Sequence, residues 1–128
     1  MGKLVNITTT LHESTNRDFL ARMVDDKVHC MKLAKQYGKD YWDGDRRYGY
    51  GGYKYMPGRW KPVAEELIKI YNLKSDSKVL DIGCGKGYLL HEMKLLIPDL
   101  DIVGIDSSDY GLENAKEEIK PFIHKHKA

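Results

Sequence analysis

A short hydrophobic strand that runs into a cluster of glycines constrains the fold of this chain more than any other feature. The strand is predicted over residues 79–82. Three glycines follow it at alternate positions: Gly83, Gly85 and Gly87. We expect a tight turn there, because glycine has no Cβ and lets the backbone reverse sharply and approach a ligand closely.

A second strand and two helices complete the pattern. A helix over 87–96 leads to an apolar strand over 101–105 that delivers Asp106, and Ser107 or Ser108 then caps a third helix to about residue 119. Strand, helix, strand and helix in this order predict an α/β fold with a parallel βαβ unit and a right-handed crossover. Ligands of such sheets bind beyond the carboxyl ends of the strands, where Asp81 and Asp106 lie.

The residues around the turn argue against two common nucleotide sites. A dinucleotide fingerprint that starts at Gly83 needs a small residue at the position of Tyr88. A phosphate-binding loop needs Ser or Thr after Lys86, where the chain has Gly87. NAD and ATP are therefore disfavoured. Asp81, two residues before the first glycine, would repel a pyrophosphate and attract the ammonium and sulfonium groups of S-adenosylmethionine.

The segments VLDIGCGKGYLL and IVGIDSS resemble the first two motifs of the class I S-adenosylmethionine-dependent methyltransferases. The resemblance covers about residues 60–119. It implies a Rossmann-like fold, S-adenosylmethionine as the cofactor, and methyl transfer to an acceptor that we expect to be a small molecule. It also implies roles in cofactor binding: Asp81 near the amino acid moiety, Gly83, Cys84 and Gly85 along methionine and ribose, Asp106 at the ribose, and Ser107 beside the adenine. The sequence indicates no residue as the catalytic base.

Only part of that family's fold is predicted here. Its members have a seven-stranded sheet, whereas two strands are predicted in this chain and the tail FIHKHKA shows no periodicity. We therefore expect a truncated chain, or the N-terminal part of a longer methyltransferase, that binds the cofactor weakly and catalyses little by itself. The family's first strand is central, so its outer edge is expected to lie bare and to favour self-association.

The residues before the turn predict helices. Residues 1–13 show no period, and we treat them as an arm. Thr15 and Asp18 resemble a capping pair for one helix over 15–36 that ends at Tyr37 and Gly38, with its apolar face in the core. A further helix begins at Pro62 and runs to about residue 73.

An unusual segment lies between these helices. Residues 40–60 alternate seven aromatic residues with five glycines, a composition typical of neither helix nor strand. Three interpretations remain open: a lid over the cofactor, a packed loop that covers the sheet, and a platform that stacks RNA bases. We divide the chain into an N-terminal arm, helix and lid segment over 1–58 and the first half of a methyltransferase domain over 59–128.

Composition narrows the other function classes. Lys and Arg total 21 against 19 Asp and Glu, so the net charge of +2 gives no reason to expect a nucleic-acid partner. No apolar run suits a membrane span and no secretory signal is present, so we expect a cytoplasmic protein. Cys30 and Cys84 form no CxxC pair, and His124 and His126 lack neighbouring ligands, so no metal site is expected. Two alternatives to a methyltransferase remain: a non-catalytic cofactor-binding remnant or protein-interaction module, and an NAD-binding enzyme.

Overall fold

A parallel three-stranded sheet organises the computed structural model, which describes residues 2–14 and 16–128. Its strands are β1 (Lys78–Ile82), β2 (Asp101–Asp106) and β3 (Ile123–Lys125), hydrogen-bonded in the order β1-β2-β3. The two predicted strands and their parallel pairing are confirmed, and the sheet with its helices has the Rossmann-like arrangement. β1 is an edge strand of this sheet, as expected.

The other regular elements are short helices. In the described residues they are α1 (Thr10–Glu13), α2 (Phe19–Val24), α3 (Lys27–Ala34), α4 (Lys39–Asp43), α5 (Lys61–Tyr71), α6 (Tyr88–Leu96) and α7 (Asp109–Glu113), with a 3₁₀ turn over Lys120–Phe122. The predictions of α5 and α6 are confirmed to within two residues at each end. Pro62 lies in the first turn of α5, and Asn72 ends that helix in the left-handed conformation.

The core lies on one face of the sheet only. Ala64 of α5 and Leu90 of α6 are fully buried against Ile102 of β2. Side chains alternate across a strand, so every second residue of β1 and β2 points to the opposite face of the sheet. There Leu80 and Ile82 of β1 are 59% and 60% exposed. The sheet is therefore covered by helices on one face and open on the other.

The C-terminal tail corrects the prediction of two strands. Residues Ile123–Lys125 pair in parallel with β2, so the tail contributes a third strand. Three residues are too few to show a period in the sequence, but Ile119 and Ile123 are buried in the core and fix the position of this segment. The predicted third helix is also shorter than expected, because α7 ends at Glu113.

The N-terminal helix prediction was wrong in its continuity. The span 15–36 contains two helices, interrupted at Asp25 and Asp26. Asp26 starts the second helix by accepting a hydrogen bond from the His29 amide, a role for which aspartate is well suited. Asp18 caps α2 in the same way, while Thr15 lies outside the described residues. A short helix, α1, also forms within the predicted arm.

The predicted burial of the N-terminal apolar residues was wrong as well. Phe19, Leu20 and Val24 of α2 are 69%, 78% and 85% exposed, and Val28 and Met31 of α3 are also exposed. Their helical spacing produces a common face, but no described element covers that face. The left-handed residue after α3 is Tyr37 rather than Gly38.

Candidate functional site

The glycine turn lies where the sequence predicts, at the carboxyl ends of β1 and β2. Gly83, Gly85 and Gly87 have φ of +83°, +56° and +70°, a region that side chains with a Cβ rarely adopt. The amides of Gly83 and Cys84 donate to the Ile105 carbonyl at 2.8 and 3.1 Å. The turn is thus fixed to the neighbouring strand by its own backbone.

Asp106 holds the turn from the end of β2. Its carboxylate accepts hydrogen bonds from the amides of Gly85 and Ser108, both at 2.8 Å. Ser108 is the N-cap of α7 and accepts from the Gly111 amide, whereas Ser107 is exposed. Of the two serines considered for the cap, the structure therefore selects Ser108.

Asp81 lies next to Asp106 across the carboxyl ends of the strands. Burial raises the pKa of Asp81, and the charge of Asp106 raises it further. Two neighbouring carboxylates without an intervening cation repel each other, and a positively charged ligand group placed near them would relieve that repulsion. Burial, and then both of these charges, raise the pKa of the Cys84 thiol to about 12, so Cys84 is a poor nucleophile at neutral pH.

Trp42 of the aromatic segment covers the other side of the turn. It is 6% exposed, and its indole nitrogen donates to the Ser108 hydroxyl at 2.8 Å. A Cβ at Gly85 would lie 2.6 Å from the Trp42 ring, so the ring packs directly on the glycine backbone. Part of the aromatic segment is helical, because Trp42 lies on α4, and the prediction that this segment avoids helix was wrong there.

A buried ion pair fastens the same segment to the turn. The Lys86 ammonium, 3% exposed, lies 2.7 Å from both an Asp43 carboxylate oxygen and the Tyr53 carbonyl. The Asp43 carboxylate also accepts hydrogen bonds from the Tyr53 amide and the Tyr110 hydroxyl, at 2.8 and 2.9 Å. No sequence pattern marked Lys86 or Asp43, because spacing cannot relate residues that far apart on different elements.

Tyrosines make further contacts between the aromatic segment and α6. Tyr53 stacks on Tyr88 with ring centroids 5.1 Å apart, and the Tyr88 hydroxyl donates to the Tyr53 carbonyl. Glu92 of α6 accepts from the Tyr55 hydroxyl and the Gly58 amide, both at 3.0 Å. The position where a dinucleotide fingerprint needs a small residue is therefore occupied by a packed ring.

One side of the turn remains open. A Cβ at Gly83 would meet no atom within 4 Å, in contrast to the covered side of Gly85. The open side borders on the end of β1, which carries Asp81. Bare backbone and acidic side chains at this edge fit a ligand that carries both a cationic group and hydroxyl donors. Asp106 retains acceptor capacity, because a carboxylate offers about four lone-pair sites.

The described residues contain no group of three metal-ligating side chains, and no helix among them is long and apolar enough to cross a bilayer. Cys30 and Cys84 are both free thiols.

Comparison with known proteins agrees with the sequence motifs. Residues 73–125 match a family described as "Methyltransferase domain". A demethylmenaquinone methyltransferase of Thermotoga maritima is 33% identical over 94 residues, which are 73% of this chain and 38% of that protein. A malonyl-[acyl-carrier protein] O-methyltransferase of Hahella chejuensis is 30% identical over 63 residues, 49% of this chain and 23% of its own length.

A third relative matches a shorter stretch of the chain. A sterol 24-C-methyltransferase of Candida albicans is 39% identical over 56 residues, 44% of this chain and 15% of that enzyme. No solved structure matches the chain significantly. The chain thus spans well under half the length of each of these relatives.

Proposed function

Because this chain carries part of a class I S-adenosylmethionine-dependent methyltransferase domain, we propose that it binds S-adenosylmethionine at the glycine turn and serves methyl transfer to a small molecule. The observation that supports this proposal is the open side of Gly83 next to Asp81 and Asp106. The names of the relatives give demethylmenaquinone and a sterol among their acceptors, which supports an acceptor of low molecular weight.

The roles we propose follow the geometry of the turn. Asp81 would attract the ammonium group of the amino acid moiety, and the backbone from Gly83 through Cys84 to Gly85 would lie along methionine and ribose. Asp106 would accept from the ribose hydroxyls with its remaining lone pairs, and the exposed Ser107 would adjoin the adenine. These residues would bind and orient the cofactor, and the aromatic segment packs on the other side of the turn.

Asp81, the backbone of the turn and Asp106 would hold the cofactor, which would supply an electrophilic methyl group to a nucleophilic atom of the acceptor and leave as S-adenosylhomocysteine, while the acceptor would release a proton to water. The chain contributes alignment to this displacement, which is sensitive to the position of the reacting atoms. We also propose that the protein acts in the cytoplasm, where free thiols such as Cys30 and Cys84 persist.

Calorimetric titration with S-adenosylhomocysteine tests the cofactor site. We expect binding in the micromolar range and a loss of about tenfold in affinity for Asp81→Asn, because the variant removes one charge near the ligand's ammonium group. Asp99→Asn is the matched control, since Asp99 is exposed and lies outside the turn. Absence of binding to a protein that circular dichroism shows to be folded would reject the proposal.

An interaction module remains a second candidate, because β1 presents a free edge and an apolar face. Leu80 and Ile82 extend that exposed face along the strand. Flat exposed edges of this kind pair with other strands. Sedimentation velocity tests it: a concentration-dependent dimer that Leu80→Lys converts to a monomer supports self-association, and a monomer at all concentrations rejects it. NADH fluorescence that stays unchanged on adding the protein excludes the NAD alternative.

A further inference from the structure

A large cavity lies among the N-terminal helices, and none of its lining residues belongs to the glycine turn. Its volume is about 850 Å³, within the range of small-molecule sites. It opens between α2, α3 and the turn over residues 45–49. A separate cavity of about 420 Å³ under the edge of β1 lacks a comparable set of charged groups.

Apolar side chains make up part of the cavity wall. Phe19 and Met23 project from α2, and Met31 from α3, and all three are largely exposed. Apolar side chains gathered around one concave surface indicate a ligand-binding surface more strongly than the same side chains scattered over a convex one. The apolar residues that recur at helical spacing in α2 and α3 are thus not buried in a core, and some of them line one wall of this cavity.

Positive charge dominates the polar part of the wall. Five basic side chains line the cavity, against two acidic ones: Arg17, Arg22, Lys27, Arg46 and Arg47 against Asp18 and Asp25. Both acids are engaged within the protein. Asp18 accepts the hydrogen bond that caps α2, and Asp25 forms a bidentate pair with Arg47.

The arginines differ in what they bind. Arg46 donates to the carbonyls of Gly49 and Tyr50, and these bonds hold its side chain against the turn over residues 45–49. The guanidinium groups of Arg17 and Arg22 have no hydrogen bond or ion pair to any residue of 2–14 or 16–128. Two guanidinium groups without a protein partner, next to an apolar wall, form a site for an anion, because arginine binds carboxylate and phosphate with two parallel hydrogen bonds.

Tyr41 connects this cavity to the glycine turn. It lines the cavity and contacts Trp42 edge to face, with ring centroids 5.1 Å apart. Trp42 in turn packs on Gly85. Tyr41 also lies close enough to Asp106 that this carboxylate contributes, after burial and the neighbouring tyrosines, to raising the pKa of Tyr41 to about 12. The rings of Tyr41 and Trp42 therefore separate the cavity from the glycine turn.

We infer that this cavity binds an amphipathic anion: a ligand with an apolar or aromatic body and a carboxylate or phosphate group held by Arg17 and Arg22. This inference does not depend on the proposed function, because Tyr41 and Trp42 separate the cavity from the glycine turn. A body of this type covers Phe19, Met23 and Met31, and its acidic group meets the two unpaired guanidinium groups.

Two fluorescent probes of similar shape test the charge requirement. 8-Anilinonaphthalene-1-sulfonate carries an anionic group, and N-phenyl-1-naphthylamine is its neutral counterpart. We expect the double variant Arg17→Gln/Arg22→Gln to weaken binding of the sulfonate at least tenfold and that of the neutral amine less than twofold. Arg59→Gln is the control for the loss of an arginine charge outside the cavity, and each single variant, Arg17→Gln or Arg22→Gln, removes the same charge within it. Equal sulfonate affinity in the wild type and the double variant places the dye elsewhere and overturns the inference, as does a folded protein that binds no dye.

Competition identifies the preferred anionic group, and calorimetry tests whether this cavity is distinct from the proposed cofactor site. Dodecanoate and dodecyl phosphate are expected to displace the sulfonate more effectively than dodecanol, and the stronger of the two acids identifies the preferred group. Saturating S-adenosylhomocysteine should leave the dye bound, and the double variant should retain wild-type affinity for S-adenosylhomocysteine. Displacement of the dye by S-adenosylhomocysteine overturns the inference, because it means one shared site. Arginine-dependent dye binding by a protein that does not bind S-adenosylhomocysteine supports the anion site and overturns the proposed function.

Discussion

The sheet with α5 and α6 and the N-terminal pair α2 and α3 have similar helical patterns but opposite burial. Leu90 of α6 is completely buried, whereas Phe19 of α2 is 69% exposed. The difference lies in the surroundings: α6 packs against α5 and β2, whereas α2 packs mainly on α3, and α3 on α2 and the short helix α4. Periodicity therefore determines which residues share a face, while burial requires a second surface to cover that face.

The largest contrast between the two regions is expected in stability. Leu90→Ala removes a fully buried side chain next to Leu100 and Ile102, and we expect a loss of about 3 kcal/mol in the free energy of unfolding. Phe19→Ala should change it by less than about 0.5 kcal/mol, because the ring is already in water. Urea denaturation measures both. A loss of more than about 2 kcal/mol for Phe19→Ala would show that α2 is buried in solution and would remove the contrast.

Two glycine substitutions test whether the aromatic segment packs on the glycine turn. Gly85→Ala places a methyl group against the Trp42 ring at a left-handed φ, and we expect a loss of about 2–3 kcal/mol. Gly83→Ala has the same kind of backbone strain but open space, so about 1–2 kcal/mol is expected. The difference in urea midpoints, together with the shift of Trp42 fluorescence in Gly85→Ala alone, measures the contact. Equal losses would mean that the segment is not docked on the turn.

Acid should release the aromatic segment before it unfolds the sheet. Burial of the Asp43 carboxyl raises its pKa, but the hydrogen bonds from Lys86, Tyr53 and Tyr110 outweigh this, and the pKa of Asp43 is lowered from 3.8. The stabilisation by a carboxylate with a lowered pKa is present above 3.8 and is lost as the pH falls through the folded-state value. We expect the near-ultraviolet circular dichroism of the aromatic cluster to decrease below about pH 4.

The Lys86→Met variant checks the origin of that acid transition. It removes the ammonium group that lowers the pKa of Asp43, and we expect it to cost about 2 kcal/mol at neutral pH, within the cost of breaking a partly buried pair. Its near-ultraviolet signal should begin to fall at a higher pH than that of the wild type. An unchanged transition would assign the acid response to another carboxylate.

How far the sequence predicts this molecule follows from how local each interaction is. The glycine turn and its two strands depend on residues close together, so their composition was sufficient to place Asp81 and Asp106 at one edge. The docking of Trp42 on Gly85 and the pairing of Lys86 with Asp43 join elements separated by a long stretch of chain, and no spacing reveals them. β3 was missed because its stability comes from burial of Ile123 and from pairing with β2 rather than from a pattern of its own.

The smallest expected effect lies within the well-packed region, at Asp81. Because burial and then Asp106 raise its pKa, the protonated form is favoured in the folded protein, and the associated stability is present below pH 3.8 and lost as the pH rises through the folded-state value. At neutral pH the charge is therefore destabilising, and Asp81→Asn should increase the free energy of unfolding by about 0.5–1 kcal/mol. The same variant is expected to weaken S-adenosylhomocysteine binding, so urea denaturation and calorimetry should change in opposite directions. A variant that loses both stability and affinity would indicate that Asp81 supports the turn rather than a ligand. Ligand binding would then not explain why a charged residue occupies this position.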